Sequence, residues 1–230
     1  MLNIFRNLSR KMGGTARSLR YRGKPEQLVA DGYNEMAGSY GEWAVRHARA
    51  DRDKYTRLLL ETLPTGATVL ELGCGPGEPT TRLLAERFKV TANDISASCL
   101  ELARRNAPSA QFVQGDMTAL QLPAASFDGV VAYYAFHHVP RERYAKLLMS
   151  ISGWLRAGGV FMAAFYPYDI DDVITPDWHG ATMYWSSFDA EQTRALIRDA
   201  GLELVTESFE SAVEDGKETT FLWIMARKPH

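Results

Sequence analysis

Three glycines at alternate positions, Gly73, Gly75 and Gly77, follow an acid, Glu71, set in a short apolar run, Thr68-Val69-Leu70-Glu71-Leu72. A run that stops at glycines and gives way at Thr80 to an amphipathic segment predicts a buried strand, a tight turn and a helix. Without a Cβ, such a turn can adopt positive φ and let a small nucleotide-like ligand lie against main-chain amides at the opening of a helix. Two more carboxylates recur after later strand-like runs, Asp94 after Lys89 to Asn93 and Asp116 after Ala110 to Gly115. At the second strand end a carboxylate can accept from both hydroxyls of a ribose, although charge and position also suit Asp94 to a helix cap and Asp116 to a turn. Beyond a fourth run, Phe127 to Ala132, come Tyr133, Tyr134, His137 and His138. Imidazole titrates near neutral pH, so either histidine is a candidate general base, with the tyrosines competing and main-chain packing as the alternative role.

The spacing excludes two familiar phosphate sites. A dinucleotide fingerprint places a small residue where Glu78 stands, and the P-loop needs a Gly-Lys-Ser/Thr that is absent. An acid on the strand followed by Gly-x-Gly-x-Gly resembles the first motif of the class I S-adenosylmethionine-dependent methyltransferases. That resemblance runs from Tyr33 to about Pro167 and implies S-adenosylmethionine as cofactor, held by Glu71, Gly73, Gly75, Gly77 and Asp94. It places Ile95 on the adenine face, Asp116 at the adenine amino group, Met117 against the ring and Tyr133 beside the cofactor. In that family the helices before the first strand fold over cofactor and acceptor, which points to Tyr33 and Tyr40; aromatic packing on the sheet is the other role open to both.

These residues need a scaffold that brings strand ends together. Strands alternating with helical patterns predict an α/β fold, a doubly wound, mostly parallel, seven-stranded Rossmann-like sheet. Helical spacing over Pro25 to Leu63 predicts two helices broken near Gly38 to Gly41, and Asp189 to Ala200 reads as a capped helix ended by Gly201. Leu202 to Phe209 and Thr219 to Ala226, joined through Glu214-Asp215-Gly216-Lys217, predict a closing hairpin that makes the last strand antiparallel. Between Tyr166 and Phe188 periodicity fails, and a long loop there reads as an acceptor lid. Its Trp178, His179, Tyr184 and Trp185, with Tyr134, are the candidate substrate residues, able to enclose an apolar acceptor or offer π-faces to a cationic amine.

At 230 residues and 46% hydrophobic content, the chain suits one domain, residues 25–230, behind a basic arm, residues 1–24. The arm carries seven basic residues and no acid, which leaves the body with 19 basic against 28 acidic residues. An acidic body argues against nucleic acid as partner. So does Ala132-Tyr133-Tyr134-Ala135, where base-modifying relatives carry Asn/Asp-Pro-Pro-Tyr. The arm reads as a loosely packed tail, a surface-binding helix or a mitochondrial transit peptide. No apolar run is long enough to cross a bilayer. Two cysteines, Cys74 and Cys99, without metal-ligand spacing point to a reducing compartment, the cytoplasm unless the arm is a transit peptide, and no metal site is expected. The expectation is thus a monomeric or homodimeric enzyme methylating an O or N atom of a small molecule. Alternatives are a non-methylating S-adenosylmethionine-binding protein, such as a cyclase, a decarboxylase or a binding module, and a nicotinamide oxidoreductase, which Glu78 and the closing hairpin disfavour.

Overall fold

A computed structural model describes residues 23–46, 50–214 and 216–230; residues 1–22 of the basic arm, residues 47–49 and Asp215 of the closing turn lie outside it. Two helices, α1 (Pro25–Arg46) and α2 (Ala50–Thr62), lead into β1 (Thr68–Leu72). There follow α3 (Thr80–Ala85), β2 (Lys89–Asp94), α4 (Ala97–Asn106), β3 (Gln111–Gln114), β4 (Phe127–Ala132), α5 (Arg141–Trp154) and β5 (Leu155–Phe165). The chain closes with β6 (Ile170–Trp178), β7 (Ala181–Ser187), α6 (Ala190–Asp199), β8 (Glu203–Glu214) and β9 (Lys217–Arg227).

Seven strands form one sheet in the order β3-β2-β1-β4-β5-β9-β8. The first five pair in parallel, and β9 runs antiparallel to both its neighbours. Because side chains alternate along a strand, Val69, Val131, Met162 and Trp223 enter the apolar cluster on one face, and Leu70, Leu72, Val130, Phe161 and Ile224 the cluster on the other. Both faces are covered, which is why β1 and β4 read as nearly unbroken apolar runs. Leu70 and Leu72 are fully buried, each contributing about 1.5–3 kcal/mol. α6 has the expected cap, the Asp189 carboxylate accepting from Gln192 N at 2.8 Å.

Two local expectations are corrected. The first helix runs unbroken through Gly38 and Gly41 to Arg46. Interior glycines cost a helix roughly 1 kcal/mol each. Burial of Val29, Met36 and Ala37 outweighs that cost, and Gly41 lies over Pro76 of the glycine turn, where a Cβ would make ordinary contact at 3.4 Å. The segment expected as a loop, Tyr166 to Phe188, is instead an antiparallel two-stranded sheet, β6–β7. Two register shifts and positive φ at Asp172, Asp177 and His179 break its alternation, which hid the strands from the sequence. This hairpin packs against α1 so closely that a Cβ on Gly32 would lie 2.9 Å from Met183 Cε and 3.1 Å from the Thr182 carbonyl. Among the described residues no helix is long and apolar enough to cross a membrane.

Candidate active site

The parallel strands end along one edge of the sheet, and β1 to β4 each deliver a polar group there. After β1 the chain turns through Gly73, Gly75 and Gly77, all at positive φ. Their surroundings differ. A Cβ on Gly73 would collide with Ala135 Cβ at 2.6 Å, and one on Gly77 would press on Ala103 of α4 at 3.0 Å, whereas one on Gly75 would meet no atom within 4 Å. Gly77 thus seats the turn on a helix, while Gly75 borders open space.

The turn's amides, expected to face a ligand, are engaged by the protein. Gly73 N and Cys74 N donate to the Asn93 carbonyl at 2.8 and 2.9 Å, and Gly77 N to that of Cys74 at 3.1 Å. Gly75 N donates to Asp94 Oδ2 at 2.8 Å, and Asp94 Oδ1 accepts from Ser96 N at 2.8 Å. The buried Asp94 carboxylate therefore clamps two successive turns, with the Ile95 amide also directed at it, and its roughly four acceptor directions are not all used. Burial raises its pKa, against the pull of the Ser96 and Gly75 amides. Asn93 donates to the carbonyls of Val113 and Gly115, fixing the exit of β3 that carries Asp116. Asp116 caps a short turn through Thr118 N at 2.8 Å and pairs at 3.0 Å with Arg143, whose other nitrogen reaches Glu26 of α1 at 3.2 Å.

A cleft with about 940 Å³ of empty space, its open mouth included, lies along this edge. Glu71, Gly73, Gly75, Asp94, Ile95, Asp116, Met117, Tyr133, Tyr134, Tyr33, Tyr40 and His138 all line it. Gly77, His137, Trp178, His179, Tyr184 and Trp185 do not form its wall. His137 is buried behind His138 and stacked on Tyr166 and Trp185, its Nδ1 without a partner among the described residues. Burial, then His138, drives its pKa well down, so it is uncharged at neutral pH. Tyr184 is fully buried and its hydroxyl donates to Asp172. Trp178 contacts the rings of Tyr33 and Tyr40 at 6.2 and 5.8 Å, and His179 that of Trp43 at 4.9 Å, so the hairpin tip packs on the aromatic side chains of α1. Arg141 ties down the other end of the hairpin by donating to the carbonyls of Ile170 and Ser187 and pairing with Asp169.

Sequence reasoning missed Arg52 on α2, which lines the cleft with its guanidinium 4.7 Å from the Tyr134 ring centre and its buried Nε without a partner among the described residues. Its neighbour Asp51 accepts from Tyr134 OH at 2.8 Å and from Trp223 Nε1 at 3.0 Å, locking α2 to the ends of β4 and β9. A lone Arg between Asp51 and Asp53 reads as a solvated helix start; only the tertiary fold turns it inward.

The pattern described as a methyltransferase domain matches residues 69–159, the span from β1 to the start of β5. Over that span the chain matches a methyltransferase domain, which supports its likeness to the class I S-adenosylmethionine-dependent methyltransferases. It is 37% identical over 136 residues to a trans-aconitate 2-methyltransferase of an Azoarcus species, covering 58% of this chain and 51% of that one. With a 2-methyl-6-phytyl-1,4-hydroquinone methyltransferase of Synechocystis it shares 30% over 177 residues, or 74% of this chain and 54% of the relative. The chain thus spans about half the length of these curated relatives. Among solved structures, 1,6-didemethyltoxoflavin-N1-methyltransferase from Burkholderia thailandensis shares the fold at a TM-score of 0.66 and 23% identity, covering 90% of this chain and 92% of that one.

The family's cofactor can be tested against this methyltransferase domain's own atoms. Glu71 is 3% exposed, and its Oε2 has no partner among the described residues. Burial pushes its pKa up to about 7, against the neighbouring Thr81 hydroxyl and the Arg52 cation. A buried, unpaired acceptor is costly unless a ligand supplies the donor. Glu71 and Arg52 together present a carboxyl that ionises near neutral pH and a cation to the same cleft; with an ammonium drawing Glu71 to its ionised form they complement a zwitterionic amino-acid group, and the residues fit S-adenosylmethionine.

Proposed function

We propose that this chain transfers a methyl group from S-adenosylmethionine to an oxygen or nitrogen atom of a small acceptor. The observation that carries the reading is the convergence of Glu71, Gly75, Asp94 and Asp116, borne on three successive strand ends, on one cleft roofed by α1. In this reading Glu71 accepts from the ammonium of the cofactor's amino-acid end and Arg52 donates to its carboxylate. Asp94 takes the ribose hydroxyls with its open acceptor directions, Asp116 receives the adenine amine, and Ile95 and Met117 flank the ring, with Tyr133 beside the sugar. Tyr33 and Tyr40 close over the top, and Gly77 serves by holding the turn in place.

The cofactor supplies a methyl group on a sulfonium that is its own leaving group, so the protein's work is alignment and the exclusion of water. Tyr134, anchored by Asp51, and His138 border the acceptor side. Trp178, His179, Tyr184 and Trp185 act there as a group, through the hairpin that backs the two histidines. No cluster of three or more metal-ligating side chains occurs among the described residues, and the reading needs none. The acidic body and the absence of a base-methylation tetrapeptide favour a small molecule over nucleic acid.

Incubation with methyl-labelled cofactor and a panel of phenols, carboxylic acids and amines tests the proposal. Release of S-adenosylhomocysteine with label in the acceptor is the expected result. Cofactor binding without label transfer to any member would instead favour a binding module, a cyclase or a decarboxylase.

A further inference from the structure

His138 is fixed at both ring nitrogens. Nδ1 lies 2.8 Å from the main-chain carbonyl of Tyr184 and Nε2 2.9 Å from the Tyr33 hydroxyl. A carbonyl oxygen can only accept, so Nδ1 carries the proton, and in the neutral ring Nε2 is an acceptor. Tyr33 must therefore donate to His138; its oxygen is also within hydrogen-bonding reach of the Tyr40 hydroxyl, and its remaining acceptor capacity is offered to the cleft that all three residues line. No imidazole nitrogen is free to meet an acceptor directly. The phenol stands between.

Resting on the methyl-transfer reading above, we propose that Tyr33 and His138 form a proton relay for a hydroxyl acceptor: the phenol oxygen takes the acceptor's proton as its own proton passes to His138 Nε2. Tyr33 is then the residue that touches substrate, and His138 a positioning residue that ends as the proton's holder. As the acceptor oxygen forms its bond to the methyl carbon, its O–H bond breaks and the electron pair of the sulfur–carbon bond stays on sulfur. One positive charge disappears at sulfur and one appears on the imidazolium, so the cleft keeps the same net charge. The Tyr184 carbonyl, delivered by β7, stabilises the imidazolium through Nδ1–H. This gives the hairpin a chemical role although it does not line the cleft.

The surroundings keep the relay in its starting state. Burial lowers His138 to about 4, against the Tyr184 carbonyl, so the resting ring is neutral, with Nε2 unprotonated, across the neutral range. Burial, with Tyr40, Asp94 and Cys99 facing it, raises Tyr33 well above an ordinary phenol, so it keeps its proton until His138 takes it. His137, 4.4 Å away between ring centres, is itself uncharged and leaves His138 the only new cation. The substrate class implied is a neutral phenol or alcohol. An ammonium would bring a second cation beside the sulfonium.

The test uses full-length protein, S-adenosylmethionine and a series of phenols of rising acidity, ending with 4-nitrophenol and pentafluorophenol. Tyr33→Phe should cut kcat on unsubstituted phenols roughly 100-fold while KM for S-adenosylmethionine moves by less than about 3-fold. The loss should shrink along the series and vanish for phenols already ionised, because those have no proton to give. His138→Asn, which retains a donor toward Tyr184 but no acceptor toward Tyr33, should give the same pattern. A turnover-independent readout is the 15N spectrum of His-labelled protein with S-adenosylhomocysteine bound. His138 should appear protonated at Nδ1 only, with the Nε2 signal moving toward that of free imidazole in Tyr33→Phe. An equal loss on every phenol, an unchanged kcat, or a proton on Nε2 in the parent protein would overturn the relay alone. Failure of the parent protein to methylate any phenol, acid or amine while binding S-adenosylhomocysteine would remove the methyl-transfer reading itself, and the relay with it.

Discussion

The two walls of the cleft are built by different means. On the sheet side, the groups come from strand ends set by ladder hydrogen bonds and cross-linked over short distances: Asn93 to β3, Asp94 to the glycine turn, Ser96 to the next helix. On the cap side, α1 and the β6–β7 hairpin meet over aromatic edges, and their polar ties to the rest of the domain are long-range, among them Tyr33 to His138, His138 to Tyr184, Asn34 to Ser96, Ser186 to Val139, Arg141 to the hairpin base and Arg143 to Glu26. The first wall is the one the sequence motif describes, and it matches a ligand whose shape does not change. The second depends on residues more than a hundred positions apart, such as Tyr33 and His138. Loosely coupled aromatic surfaces can be rebuilt for a new acceptor without disturbing the strand ends.

Substitutions that break this contrast should fall in order. Asp94→Ala leaves the Gly75 and Ser96 amides unpaired and removes the ribose acceptor, so S-adenosylhomocysteine affinity should drop by roughly 100-fold in calorimetry, with the circular dichroism of the fold retained. Glu71→Gln should weaken the same ligand by roughly 10-fold. It also carries a stability signature. The folded Glu71 carboxyl, raised from 4.5 to about 7, holds a proton that the unfolded chain releases. Its contribution to stability is therefore complete below 4.5 and is lost as pH rises through about 7. In the ligand-free protein the glutamine variant should gain stability relative to its parent over that window, on the order of 3 kcal/mol, in urea titrations at successive pH values. On the cap side, Arg141→Ala frees two buried carbonyls. It should cost about 1–2 kcal/mol and speed amide exchange in residues 170–187, yet leave S-adenosylhomocysteine affinity within about 2-fold. Arg143→Ala breaks a half-exposed bridge between Glu26 and Asp116, and its effect on unfolding should stay below about 1 kcal/mol. If the two arginine variants weakened the ligand as much as Asp94→Ala does, the two walls would be one cooperative unit.

The same division explains what could be read in advance. The mostly parallel sheet, the antiparallel closing strand and the placement of Glu71, Asp94 and Asp116 at strand ends follow from local patterns, apolar runs ending in glycines or acids at regular intervals. The engagement of the turn's own amides does not follow, because it depends on the register of β1 against β2. Gly77 looks like Gly75 in one dimension, and only the approach of Ala103 separates the two. The hairpin was hidden because bulges and positive φ at Asp172, Asp177 and His179 erase the period of two. Arg52 and the Tyr33–His138 pair were hidden because their meaning lies in tertiary contacts between helices and strand ends.

The central claim is that carboxylates on consecutive strand ends hold an adenosyl group beneath the helical cap. A crystal structure with S-adenosylhomocysteine tests it most directly. Asp94 should contact the ribose hydroxyls, Asp116 the adenine amine and Glu71 the ammonium, with the sulfur turned toward Tyr33 and Tyr134. A ligand seated elsewhere, or one that leaves Glu71 Oε2 and both aspartates untouched, would contradict the account.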